Sequence, residues 1–233
     1  MDLFEYMSMQ RKKEESPLAV RMRPKNLDEV VGQQHIIGKD KLLYRAIKAD
    51  KISSLIFYGP PGTGKTTLAK VIANTTSADF VQMNATTSGK KDMEQAVSQA
   101  KDAFGMYGKK TILFIDEIHR FNKAQQDYLL PFVEDGTVIL IGATTENPYF
   151  EVNSALLSRS QIFHLEPLSQ KDICKLVKTA VEDNERGMGA YGAEITEEAA
   201  QFIAQMAGGD ARRALNAVEL GILTTEPDEN GRI

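Results

Sequence analysis

The chain has 233 residues, of which 42% are hydrophobic and 26% are charged. This composition excludes a disordered or membrane-embedded protein and predicts one core domain with a smaller satellite. The formal net charge of -4 gives no general basic surface for nucleic acid, because phosphate binding requires clustered Lys and Arg.

The chain starts Met1-Asp2-Leu3-Phe4-Glu5, without the basic and apolar order of a secretory signal. No apolar run reaches the length needed to cross a bilayer. The sequence therefore predicts a cytoplasmic protein with no membrane partner.

Short apolar strands alternate with helical segments through most of the chain. Residues 1–16 are mixed polar and charged and predict a mobile N-terminal tail. The elements predicted next are helix 42–49, strand 54–58, helix 66–75, strand 79–83, helix 91–104, strand 111–115, helix 122–133, strand 138–142 and strand 161–165. Strands buried on both faces and joined by helices predict an α/β fold with a doubly wound, parallel, five-stranded sheet.

The pattern changes after Glu166-Pro167, where no further strand is predicted. Three helical segments follow, at 170–185, 196–206 and 211–223. We therefore expect an α/β core at 17–166, a small helical lid at 167–225 and a terminal tail at 226–233.

A phosphate loop follows the first predicted strand. Its residues are Gly59, Pro60, Pro61, Gly62, Thr63, Gly64, Lys65 and Thr66, followed by Thr67. Glycines let the backbone N–H groups face a phosphate, Lys65 can reach the β and γ oxygens, and the Thr66 hydroxyl can ligate Mg²⁺. The alternative, a glycine turn with an incidental lysine, does not explain the strand before the loop and the helix after it.

Two carboxylates end the apolar strand that contains Ile112-Leu113-Phe114-Ile115. Strand ends of this kind form the ligand crevice of a doubly wound sheet. Asp116 is predicted to hold Mg²⁺ and Glu117 to act as the general base that polarises water, which favours hydrolysis over transfer to a second substrate. Read alone, the pair could also be an acidic helix cap.

The strand 138–142 leads into Ala143-Thr144-Thr145-Glu146-Asn147, which offers hydroxyls and an amide near a γ-phosphate. A plain strand-to-loop turn is the alternative. Asn84, which ends the second strand, is interpreted as a polar strand cap, although it could also restrain Glu117.

These motifs, with Leu157-Ser158-Arg159 and Gly209-Asp210-Ala211-Arg212, resemble the clamp-loader group of AAA+ proteins. Longer strings are similar to the replication-associated recombination protein A (RarA) family from Pro17 to about Leu223. They are Pro17-Leu18-Ala19, Arg21 to Pro24, Val31 to His35, Asp116 to Lys123 and Gly142 to Pro148.

The resemblance implies a set of site residues for ATP and Mg²⁺. Thr145 takes the sensor 1 position, with Thr144 as the fallback, and Val31 lies in the segment placed against adenine. Arg159 matches an arginine finger that acts in trans on a neighbouring subunit, and Arg212 matches sensor 2. The alternative for both arginines is a solvated or salt-bridged surface residue.

The resemblance also implies a function, which is ATP hydrolysis coupled to remodelling of DNA or protein at stalled replication forks and gaps. The implied partners are single-stranded, gapped or forked DNA, single-strand-binding protein or other replication proteins, and three further copies in a homo-tetramer. The implied location is the nucleoid. Alternatives are a nucleotide-gated scaffold that recruits replication proteins, and a branch-migration or clamp-loader motor subunit.

Family members usually continue past Ile233, so the sequence is interpreted as a truncated chain. It is expected to bind ATP, to hydrolyse it slowly and to be largely monomeric. Small basic clusters at 11–13, 21–25, 90–91 and 109–110 permit DNA binding, but clusters of this size are usually solvated.

Overall fold

The structure is a computed structural model that describes residues 16–226. The predictions of tails at either end therefore lie almost wholly outside the described residues. The described residues divide into two compact units, one of residues 24–166 and one that combines 16–23 with 167–226. The division after Glu166 falls where the sequence places a boundary.

Regular elements occupy most of both units. In chain order they are α1 (Leu18–Arg21), α2 (Gln34–Ile37), α3 (Leu42–Lys48), β1 (Ser54–Tyr58), α4 (Lys65–Thr75), β2 (Asp79–Asn84), α5 (Lys90–Tyr107), β3 (Thr111–Asp116), α6 (Lys123–Glu134), β4 (Val138–Thr144), α7 (Pro148–Glu151), α8 (Ser154–Leu157), β5 (Ser160–His164), α9 (Gln170–Glu182), α10 (Glu197–Ala207) and α11 (Ala211–Thr224). Short 3₁₀ turns lie at Leu27–Glu29, Ile118–Arg120 and Gly189–Tyr191.

The five strands form one parallel sheet in the order β2-β3-β4-β1-β5. Successive strands in the chain are joined by helices, as parallel pairing requires. The chain order reverses beside β1, so the end of β1 lies at a topological switch point, where ligands bind in open α/β sheets. The predicted fold class is confirmed.

Both faces of the sheet are buried. Leu55 and Phe57 of β1 contribute to the cluster on one face, whereas Ile56 contributes to the cluster on the other. Strands β3 and β4 alternate in the same way, because successive side chains of a strand point to opposite faces. The core therefore fixes the register that sets where each strand ends.

The second unit is helical and has a core of its own. Buried residues of α9, α10 and α11 form one cluster with Leu18 and Met22. Each of the three long helices begins at a side chain that accepts a hydrogen bond from a backbone N–H group of the first turn; these are Ser169, Thr196 and Asp210. The three predicted helices are present.

The start of the described chain differs from the sequence-based domain bounds. The sequence predicts residues 17–23 as part of the core that contains the sheet, whereas the structure groups them with the helical unit. Leu18 is fully buried there, and its backbone N–H donates to Glu219 Oε1 over 2.9 Å. The Arg21 Nε–H donates to the Arg186 carbonyl over 3.0 Å. Long-range contacts of this kind leave no local signal in the sequence.

Several predicted element ends also shift by one to three residues, and two of these shifts have a clear cause. Strand β4 runs to Thr144 rather than to residue 142, since Tyr58 of β1 continues the pairing to Thr144. Helix α9 ends at Glu182 rather than at residue 185, because the Asp183 carboxylate accepts from the backbone N–H groups of Glu185 and Arg186. Among residues 16–226, every helix is too short or too polar to cross a bilayer.

Candidate functional site

The phosphate loop connects the carboxyl end of β1 to the first turn of α4. Gly59, Gly62 and Gly64 have φ angles of 145°, 73° and 98°, which side chains disfavour. Gly59 is also tightly packed, because a Cβ there would lie 2.1 Å from the Leu165 carbonyl oxygen. The loop therefore needs glycine at its first position for both conformation and space.

Lys65 is the first residue of α4 and is 8% exposed. Its ammonium Nζ donates to the carbonyls of Gly59 over 2.6 Å and Pro60 over 2.7 Å. The Thr63 hydroxyl also donates to the Pro60 carbonyl, over 2.9 Å. The loop thus folds over a buried cation beside the N-terminus of an 11-residue helix, an arrangement that favours an anionic group.

Gln33 holds the phosphate loop through buried hydrogen bonds, a role that the sequence did not predict. Its side chain is buried, and its Nε2 donates to the carbonyls of Thr63 over 3.2 Å and Glu166 over 2.7 Å. Its Oε1 accepts from the Glu166 N–H over 3.1 Å. No local pattern in the sequence indicates these contacts, because they join positions that are 30 and 133 residues apart.

The proposed magnesium ligands meet at the end of the sheet. The Thr66 hydroxyl donates to Asp116 Oδ2 over 3.3 Å, although the two residues are 50 positions apart. Strands β1 and β3 are separated by β4, so the sheet order brings the loop to the carboxylate. A hydroxyl beside a carboxylate is an oxygen donor set that suits Mg²⁺ held jointly with a nucleotide. Among the described residues, no cluster of three or more His, Cys, Asp or Glu is arranged to hold a metal ion without a nucleotide.

Glu117 follows Asp116 in a left-handed conformation, with φ of 55°. Its side chain is 31% exposed, and Oε2 lies 3.4 Å from His119 Nδ1. The same nitrogen lies 2.8 Å from the Thr144 hydroxyl, which also accepts from the Glu146 N–H over 3.0 Å. Polar contacts through the buried His119 side chain thus connect the candidate base to the end of β4.

The two threonines at the end of β4 have different surroundings. Thr144 is fully buried, and its carbonyl accepts from the Gly59 N–H over 3.2 Å. Thr145, the sensor 1 prediction, is exposed immediately after the strand. The backbone of Thr144 therefore lies beside the start of the phosphate loop, and its hydroxyl is hydrogen-bonded to protein groups.

Asn84 lies at the end of β2, opposite Asp116 in the register of the sheet. Its Oδ1 accepts from the backbone N–H of Thr86 over 2.9 Å and from the Thr86 hydroxyl over 2.7 Å. This is the polar cap that the sequence analysis favoured. The contact that the structure gives to the Glu117 carboxylate comes from His119 instead.

The two predicted arginines lie in different units. Arg159 follows α8, and its guanidinium pairs with Glu134 at 2.6 Å and donates to the Ala155 carbonyl over 2.9 Å. Arg212 is exposed in the first turn of α11, in the helical unit, where its backbone N–H donates to Asp210. Val31 is half-buried two residues before Gln33.

Most of the candidate basic patches are partly neutralised. Arg21 lies 3.6 Å from Glu219 with only 17% of its side chain exposed. Lys90 lies 3.5 Å from Glu94, and Lys109 pairs with Asp79. One cation of each of these three clusters is therefore paired with a carboxylate.

Comparisons with known proteins agree with this geometry. The family model for the ATPase family associated with various cellular activities (AAA) matches residues 55–168. The chain is 50% identical over 216 residues to replication-associated recombination protein A of Escherichia coli strain K12, covering 93% of this chain and 48% of that protein. It is 47% identical over 217 residues to the protein of the same name in Bacillus subtilis strain 168, covering 93% and 50%.

A solved structure gives the same fold. The RuvB Holliday junction branch migration motor of Thermotoga maritima superposes with a TM-score of 0.69 at 31% identity, covering 85% of this chain and 64% of that one. The chain spans about half the length of the curated relatives that it matches. It therefore has the AAA+ fold, its residues 55–168 match the AAA family model, and it resembles the replication-associated recombination protein A family over 93% of its length.

Proposed function

We propose that this chain binds ATP with Mg²⁺ and hydrolyses it to ADP and phosphate. The observation that carries the proposal is the 3.3 Å contact between the Thr66 hydroxyl and the Asp116 carboxylate, directly before Glu117. The carboxyl ends of β1 and β3 thus bring together a glycine loop, a buried lysine and two adjacent carboxylates. This is the group of parts that triphosphate hydrolysis uses.

Each residue has a proposed role. Residues 59–67 cradle the phosphates through backbone N–H groups, and Lys65 neutralises the β and γ oxygens. Thr66 and Asp116 hold Mg²⁺, which, when bound, offsets charge on the phosphoryl oxygens. Glu117 accepts a proton from the attacking water.

The remaining predicted residues complete the proposed site. Thr145, or Thr144 beside it, orients the water and the γ-phosphate, and Val31 contacts the adenine. Arg159 of one copy and Arg212 of the helical unit supply guanidinium groups, which suit the charge that develops on a transferred phosphoryl group. Support for these roles is the position of Val31, Thr144 and Thr145 in the RarA-like strings and of Arg159 and Arg212 in the clamp-loader motifs.

We further propose that turnover is coupled to remodelling of DNA or of bound proteins at stalled replication forks and gaps. Support comes from the names of the relatives, replication-associated recombination protein A, and from the branch migration motor that shares the fold. The proposed partners are single-stranded, gapped or forked DNA, single-strand-binding protein and a homo-tetramer of the longer protein. The proposed location is the nucleoid within the cytoplasm.

Two substitutions test the ATPase proposal, one expected to weaken ATP binding and the other expected to lower turnover only. Lys65→Ala removes the buried ammonium and is expected to weaken Mg–ATP binding at least tenfold or so, since a charge-assisted contact contributes roughly 1.5–3 kcal/mol. Glu117→Gln keeps the shape of the side chain and is expected to retain affinity while turnover falls by about 10²–10⁴-fold. Binding is measured by titration calorimetry and turnover by phosphate release.

Lys171→Ala and Glu198→Gln, which change exposed residues of the helical unit, are the matched controls and should behave as the wild type. An unchanged affinity in Lys65→Ala would refute the proposed site. Undiminished turnover in Glu117→Gln would refute the proposed base.

A nucleotide-gated scaffold that recruits replication proteins is the second candidate function, and the pairing of Arg21, Lys90 and Lys109 with carboxylates is the observation that favours it. A motor predicts turnover that rises with single-stranded, gapped or forked DNA, and loss of biological activity in Glu117→Gln. A scaffold predicts ATP turnover that DNA does not change. It also predicts that Glu117→Gln retains biological activity. Phosphate release with each DNA, together with survival under replication stress, distinguishes them.

A further inference from the structure

One buried histidine has no role in the proposed ATPase machinery. His119 lies in the 3₁₀ turn directly after the candidate general base, and its side chain is only 8% exposed. The two other histidines of the chain, His35 and His164, are exposed. A buried histidine needs hydrogen-bond partners, and here a carboxylate and a hydroxyl lie beside it.

The turn that carries His119 is anchored to β4. Ile118 is fully buried, and a Cβ on Gly142 would lie 3.0 Å from its Cδ1, so the turn packs directly on the strand. The Arg120 N–H donates to the Glu117 carbonyl over 2.8 Å and closes the turn. The backbone of Glu117 is therefore held in its left-handed conformation by tertiary packing.

The Glu117 side chain itself is 31% exposed, and His119 lies against its carboxylate. The Nδ1 atom lies 3.4 Å from Glu117 Oε2 and 2.8 Å from the Thr144 hydroxyl. With the proton on Nδ1, the ring donates its hydrogen bond to the Thr144 hydroxyl and presents the same N–H toward Glu117 Oε2 at the longer distance. With the proton on Nε2, Nδ1 accepts from the Thr144 hydroxyl and offers the carboxylate no proton, so the Nδ1–H tautomer is the one that serves Glu117.

We propose that His119 is a positioning residue for Glu117, which ties the carboxylate of the base to the hydroxyl at the end of β4 beside the phosphate loop. The proposal rests on the proposed ATPase function and adds a residue to it. His119 touches neither the phosphates nor the water in this account. It acts by limiting the rotamers that the Glu117 carboxylate samples.

A pair of substitutions separates hydrogen bonding from packing. In His119→Asn, the amide nitrogen can take the place of Nδ1, whereas His119→Leu has nearly the same branched shape and no polar atom. We expect His119→Leu to lower the single-turnover rate by about 10- to 100-fold, the effect typical of removing a supporting partner of a functional group. His119→Asn should recover part of that loss.

Affinity is the readout that separates positioning from general damage. Mg–ATP affinity should stay within about twofold of the wild type in both variants, because only a step after binding is affected. His164→Asn, on the exposed histidine that stacks on Tyr58, is the control and should retain the wild-type rate. Single-turnover phosphate release with protein in excess over ATP gives the rates, and thermal denaturation checks folding.

A double variant provides an independent check. In a Glu117→Gln background, His119→Leu should cause little further loss, because the carboxylate that it positions is already absent. Additive losses would overturn the proposal. So would a wild-type rate in His119→Leu, or equal losses in the Leu and Asn variants with weakened ATP binding.

Failure of this inference differs from failure of the proposed function. If the wild type shows no Lys65-dependent hydrolysis, the proposed function is wrong, whatever His119 does. If the wild type hydrolyses ATP and His119→Leu matches it, only the positioning role is wrong.

Discussion

Gly59 is the residue at which β1 ends and the phosphate loop begins. Its backbone is in close contact with Leu165, the residue that follows β5, and its φ is 145°. One glycine therefore sets both the turn of the loop and the distance between the ends of two neighbouring strands.

Gly59→Ala should destabilise the sheet unit by about 2–6 kcal/mol, since backbone strain and overpacking each cost about 1–3 kcal/mol. Gly64→Ala is the matched control, because φ there is 98° and nothing lies within 4 Å of an added Cβ. It should cost only the strain, about 1–3 kcal/mol. Urea denaturation followed by circular dichroism measures both, and equal losses would show that the contact with Leu165 does not matter.

Gln33 and His119 share a feature at this scale. Each is a polar side chain whose contacts come from distant parts of the chain, Thr63 and Glu166 in one case and Thr144 in the other. Each supports a predicted functional residue without being part of a recognised phosphate or magnesium motif. Buried hydrogen bonds of this kind define a single geometry for the residues they hold.

At the scale of elements, the ends of helices and strands determine where functional groups stand. Asn122 begins α6 with a capping box, in which its side chain accepts from the Gln125 N–H and Gln125 Oε1 accepts from the Asn122 N–H. The cap fixes the entry to α6 just after the turn that carries His119. Helix starts near the site are thus defined by local side-chain chemistry.

The end of α9 depends on the Asp183 carboxylate, whose pKa is lowered from its ordinary value. The largest cause is the hydrogen bond from the Arg186 N–H, and a bond from the Glu185 N–H adds to it. A lowered folded-state pKa means that this stabilisation is present above the unfolded pKa of about 3.9 and is lost as the pH falls through the folded value.

Asp183→Asn should therefore lower the free energy of unfolding of the helical unit by about 0.5–1.5 kcal/mol at pH 7, because it weakens the hydrogen bonds that the carboxylate accepts. The difference from the wild type should shrink as the pH falls below about 4. Denaturation at several pH values measures it, with Asp102→Asn on the exposed side of α5 as the control. A difference that grows at low pH would contradict the assignment.

At the scale of the whole molecule, Arg159 bears on whether one chain or two chains form a complete ATP-hydrolysis site. Its pairing with Glu134 involves side chains that are 40% and 49% exposed, and ion pairs of that kind contribute about 0–1 kcal/mol. The pair is therefore too weak to keep Arg159 from a nucleotide on a neighbouring copy. The sequence predicts a largely monomeric chain that hydrolyses ATP slowly. This stays a prediction, and its physical basis is that the Arg159 of a monomer has no nucleotide on a neighbouring subunit to contact.

If Arg159 acts in trans, ATP turnover per chain should rise with protein concentration. Arg159→Ala and Glu117→Gln should each be nearly inactive alone and should regain activity when mixed, because one chain then supplies the finger and the other an intact nucleotide site. Phosphate release measures the recovery. Mixing Arg159→Ala with the double variant Arg159→Ala/Glu117→Gln is the control and should give none. Full activity of Arg159→Ala alone would contradict the role.

The sequence by itself determined the elements of the sheet, the phosphate loop and the Asp116-Glu117 pair. These features depend on interactions within short segments: alternation of burial along a strand, glycine at special φ values, and charged residues directly after apolar strands. The same reasoning located the change to an all-helical unit at Pro167, because each helix carries its own apolar stripe.

The tertiary structure decided what no short segment encodes. It placed Thr66 beside Asp116 across 50 positions, assigned residues 17–23 to the helical unit, and brought His119 between Glu117 and Thr144. The physical reason is that strand order and buried polar contacts arise from packing among segments far apart in the chain. Local composition gives such contacts no distinct pattern, so only their assembled geometry reveals which side chains act on one another.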